Sequence, residues 1–261
     1  MVLKRLFKGL EKLCLVGALA LGFSGETNSE EFARPNENVL KMGYSIDNES
    51  WTYGPKFNGN GPYAEIGRGF GDVTGYLEAG VQLPVINAGF IQPEHSENFA
   101  DISPNCFVPR IGIGARTKFY ENQDSGLSFC GDLKVSRLSE FADSVVWPDK
   151  SVSIFEVHGI TSIDAKLWFE QPFSLADREL RLNLGAIVGF DYAAGDAFTY
   201  TTDSNGKITD RFSLINQRNK ARAQAIVGFD YIMDNGWTLN TTARVGSGTG
   251  INMGFSRKLG K

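Results

Sequence analysis

The stretch DVTGYLEAGVQL, residues 72–83, sets apolar or small side chains at Val73, Gly75, Leu77, Ala79, Val81 and Leu83 against polar ones at Asp72, Thr74, Tyr76, Glu78 and Gln82. A period of two is the signature of a β-strand with one apolar and one polar face. The scheme recurs along the chain. In 109–120, Ile111, Ile113, Ala115, Thr117 and Phe119 oppose Arg110, Arg116, Lys118 and Tyr120. From 153 onward Phe155, Val157, Ile163, Ala165, Leu167 and Phe169 oppose Glu156, His158, Ser162, Asp164 and Lys166. In 180–192, Leu180, Leu182, Leu184, Ala186, Val188, Phe190 and Tyr192 oppose Arg181, Asn183 and Asp191. A soluble sandwich turns such apolar faces inward, whereas a transmembrane barrel turns them to lipid and lines its lumen with the polar faces.

The joins carry a second signal. The pattern predicts strands over 39–47, 62–70, 72–83, 109–120, 127–138, 152–169, 180–192, 222–233, 236–246 and 250–258. Short joins (71, 121–126, 171–179 and the Asp234-Asn235-Gly236 turn) alternate with long ones (48–61, 84–108, 139–151 and 193–221), the brief 247–249 excepted. Short turns at one end and long loops at the other are what an even-stranded membrane barrel shows. The expectation is therefore an all-β, antiparallel, up-and-down transmembrane barrel of about ten strands. Twelve is the alternative, because 198–202 and 207–215 also make a hairpin. Its first arm is shorter than the ~9–11 residues a spanning strand requires, and its apolar face would place Asp210 in lipid. It is therefore expected above the membrane.

Residues 1–25 read as an export signal. Lys4, Arg5, Lys8 and Lys12 precede or flank an apolar run from Leu13 to Phe23, followed by Ser24 and Gly25. The run is about half the ~20 residues of a spanning helix. Residues 26–38, polar, acidic and proline-containing, read as a periplasmic N-terminal stub, and 39–258 as the barrel. Without the signal, 22 basic residues face 29 acidic ones, a net charge near −7. That balance gives no support to nucleic-acid binding. Cys106 and Cys130 fall toward opposite ends of neighbouring strands. Free thiols are expected, since a disulfide needs Cα atoms within about 7 Å.

Turning the polar faces inward fills the lumen with charge of both signs: Glu78, Asp132, Glu156, Asp164, Asp191 and Asp230 beside Arg110, Arg116, Lys118, Lys134, Lys166, Arg181, Arg222 and Arg244. His158 joins them in phase. In so narrow a barrel opposite charges on adjacent strands are expected to pair, because an unpaired buried charge is costly. Glu156 and His158 are same-face neighbours, yet no acidic pair stands beside His158 in the manner of the omptin proteases, and no His-x-Ser sequence exists. No catalytic set, metal site or cofactor is expected from two scattered histidines. Aromatics at Phe119, Trp168, Phe169, Trp237 and Phe255 read as interface girdles. A heptapeptide, Ala186 to Tyr192, recurs at Ala225 to Tyr231, as neighbouring strands facing similar demands would produce.

With these residues in view, the chain resembles small bacterial outer-membrane barrels of the OmpA/OmpX or opacity-protein kind over about 39–258. The resemblance rests on the alternation rather than on a motif. Members usually end on an aromatic read by the barrel-assembly machinery; here Ile251, Met253 and Phe255 alternate, but Ser256 to Lys261 follow. It implies an integral outer-membrane protein, in contact with lipid, with a structural or adhesin-like role and loops 48–61, 84–108, 139–151 and 193–221 open to an external ligand. A narrow solute channel is the alternative; a membrane enzyme or a soluble secreted barrel stands further back.

Overall fold

The computed structural model describes residues 32–50, 56–87, 101–102, 107–146, 152–175, 178–193, 198–203, 205–213 and 219–259. The segment read as an export signal, Cys106 and much of the long joins lie outside these residues. Regular structure among them is entirely β: β1 (Asn38–Ser50), β2 (Lys56–Phe70), β3 (Val73–Asn87), β4 (Asp101–Ile102) and β5 (Val108–Glu121) come first. Then follow β6 (Ser128–Leu138), β7 (Phe141–Val146), β8 (Val152–Val157), β9 (Ile160–Leu175) and β10 (Arg178–Ala193). The last five are β11 (Phe198–Thr202), β12 (Ile208–Ser213), β13 (Asn219–Ile232), β14 (Trp237–Gly246) and β15 (Gly248–Leu259).

Ten of these strands close into a ring, β1-β2-β3-β5-β6-β9-β10-β13-β14-β15, with β15 returning to β1. Every neighbour in the ring is antiparallel. The closing register runs from Asn38 opposite Leu259 to Glu49 opposite Gly248. Closure leaves no edge in the barrel wall, which is the condition for a sheet in lipid. The alternation decides which face goes where. Among the described residues twenty buried side chains are polar or charged and twelve apolar, while twenty-five large apolar side chains are exposed. A water-soluble fold shows the reverse. The exterior is suited to hydrocarbon, and the lumen holds the charge.

Short and long joins segregate as expected, at opposite ends. Gly71-Asp72, the turn closed by Asn122 N–H…O Leu127 at 2.8 Å, the Leu175–Arg178 pair that ends β9 and opens β10, and the turn closed by Met233 N–H…O Trp237 at 2.8 Å lie at one end. At the other end the strands run on past the expected limits: β1 and β2 stay paired to Ser50 opposite Lys56. There β4 adds two residues to the tip of β3, with Ile86 opposite Ile102.

Three differences from the sequence expectations stand out, the first two where strand pairing is interrupted and the third where the alternation holds. First, the expected strand 152–169 is two strands. Gly159 turns the chain with φ +95, β8 joins a separate four-stranded sheet in the order β12-β11-β8-β7, and only β9 belongs to the wall. Apolar alternation continues across the break, so only Gly159 could have signalled it. The 198–213 hairpin lies in that same sheet, outside the barrel. Second, Tyr120 does not face the lumen: a bulge at Phe119 sets two residues of β5 against Phe129, and Tyr120 is 57% exposed. Third, Trp168 belongs to no girdle. It is lumen-facing and 2% exposed, whereas its neighbour Phe169 faces out at 54%. Phe119, Phe129 and Phe169 form the outward aromatic cluster, with ring centroids 5.5 and 5.0 Å apart.

Candidate functional site

The candidate site is the lumen, because that is where the chain gathers its chemistry. Each wall strand contributes every second side chain, and the antiparallel register brings opposite charges level. Arg116 of β5 and Asp132 of β6 are direct register partners, as are Lys134 of β6 and Asp164 of β9.

Contacts then cross strands. Glu65 accepts from Arg116 Nη2 at 2.5 Å, and Asp132 lies 3.6 Å from Arg116 Nε. Tyr76 donates its hydroxyl proton to Asp132 Oδ1 at 2.7 Å and carries the Arg116 guanidinium over its ring at 4.3 Å. The phenol fits because its neighbour on β5 is glycine; a Cβ on Gly114 would sit 2.4 Å from the Tyr76 hydroxyl oxygen. Glu78 bridges Arg110 at 3.1 Å and Lys134 at 3.3 Å. Farther round the wall Arg222 of β13 holds Asp164 of β9 at 2.7 Å and Asp191 of β10 at 2.9 Å, and Arg244 of β14 pairs with Asp47 of β1. Asp230 accepts from Asn183 at 2.8 Å and from Asn240 at 2.9 Å. Toward the short-turn rim Lys118 meets Glu121 at 3.2 Å, and Arg181 lies between Glu170 at 3.7 Å and Glu179 at 2.9 Å. Lys166 rests over the Trp168 ring at 4.2 Å.

Thirteen of the fifteen expected lumen residues are thus on the inner face: Glu78, Arg110, Arg116, Lys118, Asp132, Lys134, Asp164, Lys166, Arg181, Asp191, Arg222, Asp230 and Arg244. The other two are corrected. Glu156 belongs by its backbone to β8, opposite Ala142 and Phe198 in the second sheet, and His158 is exposed in the bend before Gly159. The turn that ends β8 removes both from the wall.

Sequence reasoning missed Asp47, Glu65, Glu121, Glu170 and Glu179. Glu65 was legible, being in phase with Tyr63 and Gly67; the last three sit just beyond the expected strand limits. It also missed Phe32, which is 1% exposed inside the short-turn mouth and stacks on Trp168 with centroids 6.2 Å apart. Cys130 and Ile226 complete that apolar cluster, with Ile187 packed against it.

Between the charges two small cavities remain, of about 130 and 80 Å³. Asp47, Arg110, Lys134, Asp164 and Arg244 line both. Their charged walls suit water or an ion rather than an apolar solute. Among the described residues no three His, Cys, Asp or Glu side chains gather as a metal would require.

No protein-family profile matches the chain, and no curated protein matches it. Solved structures of outer-membrane barrels do. The translocator domain of the autotransporter NalP from Neisseria meningitidis shares 12% identity, covering 88% of this chain and 90% of its own, with a TM-score of 0.45. The outer membrane protein OprG from Pseudomonas aeruginosa shares 9%, covering 88% and 99%, at 0.43. The β-domain of the Bordetella autotransporter BrkA shares 10%, covering 86% and 100%, at 0.40. At such identities and scores these matches carry no argument about activity, and the fold rests on the chain's own ring of ten strands.

Proposed function

We propose that this chain is an integral outer-membrane β-barrel whose lumen is filled by its own ion pairs, serving the envelope as a structural element that presents a β-sheet and loops outside. The observation that carries this reading is the pairing of lumen charge. Arg116, Glu78 and Arg222 each bridge two partners, which leaves small cavities in place of an open pore. Lipid on the apolar exterior and the barrel-assembly machinery are the partners this implies. An external ligand would be met at the end that carries the second sheet, through the joins within 48–61, 84–108, 139–151 and 193–221. The chain is read as a non-enzyme, with His158 standing in an exposed bend rather than beside the lumen carboxylates.

The contiguous cavities favour one second reading, a narrow ion path. Two measurements decide. Boiled and unboiled samples of the outer-membrane fraction, compared by SDS gel mobility, are expected to differ, with a compact form that slows on heating. Recovery in the soluble fraction with no shift would overturn the membrane placement. In a planar bilayer the folded protein is expected to give no discrete conductance; regular unitary steps would replace the sealed lumen by the channel.

A further inference from the structure

We infer that residues 32–37 form a built-in plug, a hook of chain that enters the short-turn mouth of the barrel and covers a thiol, Cys130, in the lumen below. The lumen is largely charged, yet toward the short-turn mouth Cys130, Trp168, Ile187 and Ile226, from four different strands, turn apolar side chains inward and pack as one cluster. An apolar patch facing a water-filled lumen would be unfavourable. Here it is covered: Phe32 lays its ring on Trp168 with only 20° between the planes, and Cys130 is 0% exposed. Phe32 is also the sole aromatic in 26–38, a stretch otherwise polar, small or proline.

The hook is shaped as well as placed. Ala33 donates its N–H to Thr74 Oγ1 at 2.9 Å inside the mouth. Glu37 N–H reaches Arg34 O at 2.9 Å, and Arg34 N–H reaches the Glu37 carboxylate at 3.1 Å. Asn36 at φ +66 closes the reversal into β1. The segment then lies against β2. Pro35 bridges Gly69 in parallel, Asn36 N–H bonds Gly69 O at 3.1 Å, and Gly69 N–H bonds Glu37 O at 3.1 Å. Glycine is required there, since a Cβ on residue 69 would stand 2.1 Å from Arg34 O and 2.5 Å from Ala33 O. Polar anchors on the rim and one aromatic in an apolar seat make a cover held by few groups, separable from the ten-strand wall. A segment held so lightly opens by local unfolding while the wall persists.

The thiol beneath the plug reports its position, whether or not the lumen conducts. The mature chain carrying Cys106→Ser, folded into lipid vesicles, keeps Cys130 as its single cysteine; it is treated with a membrane-impermeant maleimide. Labelling is expected to be slow. It should accelerate at least tenfold with Phe32→Asp, which cannot stay in the apolar seat, and with Gly69→Ala, which pushes Ala33 and Arg34 away. The heat-dependent gel shift should be retained in both. Gly69→Ala and deletion of residues 26–36 answer the question if Phe32→Asp does not fold. Unchanged labelling in the folded variants, or labelling of the parent as fast as that of the urea-unfolded chain, would overturn the plug.

Discussion

Leu184 and Asn183 are adjacent in β10 and live in opposite solvents. Leu184 is 47% exposed on the outer face, while Asn183 is 8% exposed and donates to Asp230 on the neighbouring strand β13. An arginine at 184 would stand in hydrocarbon at a cost of about 2–4 kcal/mol near the midplane. An arginine at 183 would keep Asp230 as its partner. Leu184→Arg should therefore lower the folded fraction in a vesicle refolding assay far more than Asn183→Arg, and equal tolerance would overturn the face assignment. The interior has its own asymmetry. Arg116 is the shared partner of Glu65 and Asp132. Arg116→Met leaves two buried carboxylates without it, and removing one member of a buried pair costs about 3–5 kcal/mol. Adding Glu65→Gln and Asp132→Asn to that variant should recover most of the loss, as read by urea unfolding in vesicles. Additive losses would mean that the three do not act as one unit.

At the scale of the strand, phase is what matters. Alternation made the ten wall strands and thirteen lumen positions readable in the sequence, because a period of two assigns every side chain once one is assigned. It could not register a place where the count slips. The bulge at Phe119 and the bend at Gly159 depend on partners outside their own strand, Phe129 and the second sheet, whereas Trp168 turns inward in phase with Asp164 and Lys166. The heptapeptide repeat shows the same rule from the other side. Its copies lie on the neighbouring strands β10 and β13 with Ala186 opposite Ala225, and from that point they run toward opposite ends of the wall, sharing the in-and-out phase but not their partners. The bulge supplies a test. Deleting Phe119 removes the extra residue and leaves Lys118 inward and Tyr120 outward, so the barrel should still assemble, less the Phe119–Phe129 contact. Deleting Thr117, two residues earlier, turns Lys118 from Glu121 toward lipid. The heat-modifiable yield should fall much further for Thr117 than for Phe119; the reverse order would contradict the assigned register.

The whole molecule consists of a closed wall and an open appendage, and the two are held by different means. Each wall strand is bonded on both sides. Among the described residues the second sheet is open-edged, drawing β7 and β8 from one long connection and β11 and β12 from another, with the two joined through β8 and β11, Glu156 opposite Phe198 to Val152 opposite Thr202. Without β11, strand β8 keeps β7 as its single partner, and an isolated two-stranded hairpin is marginally stable in water. Replacing 198–213 by a short Gly-Ser join should therefore leave the ten-strand ring and its gel shift intact. The remaining 141–157 segment should become far more sensitive to a protease added outside, because cleavage follows the population of the opened form. Loss of the gel shift would show instead that the appendage is required for the wall. Unchanged protease resistance would show that β7 and β8 are held by something other than β11. The asymmetry follows from closure itself, since a ring shares its stability among all its members whereas an open sheet passes stability only from neighbour to neighbour.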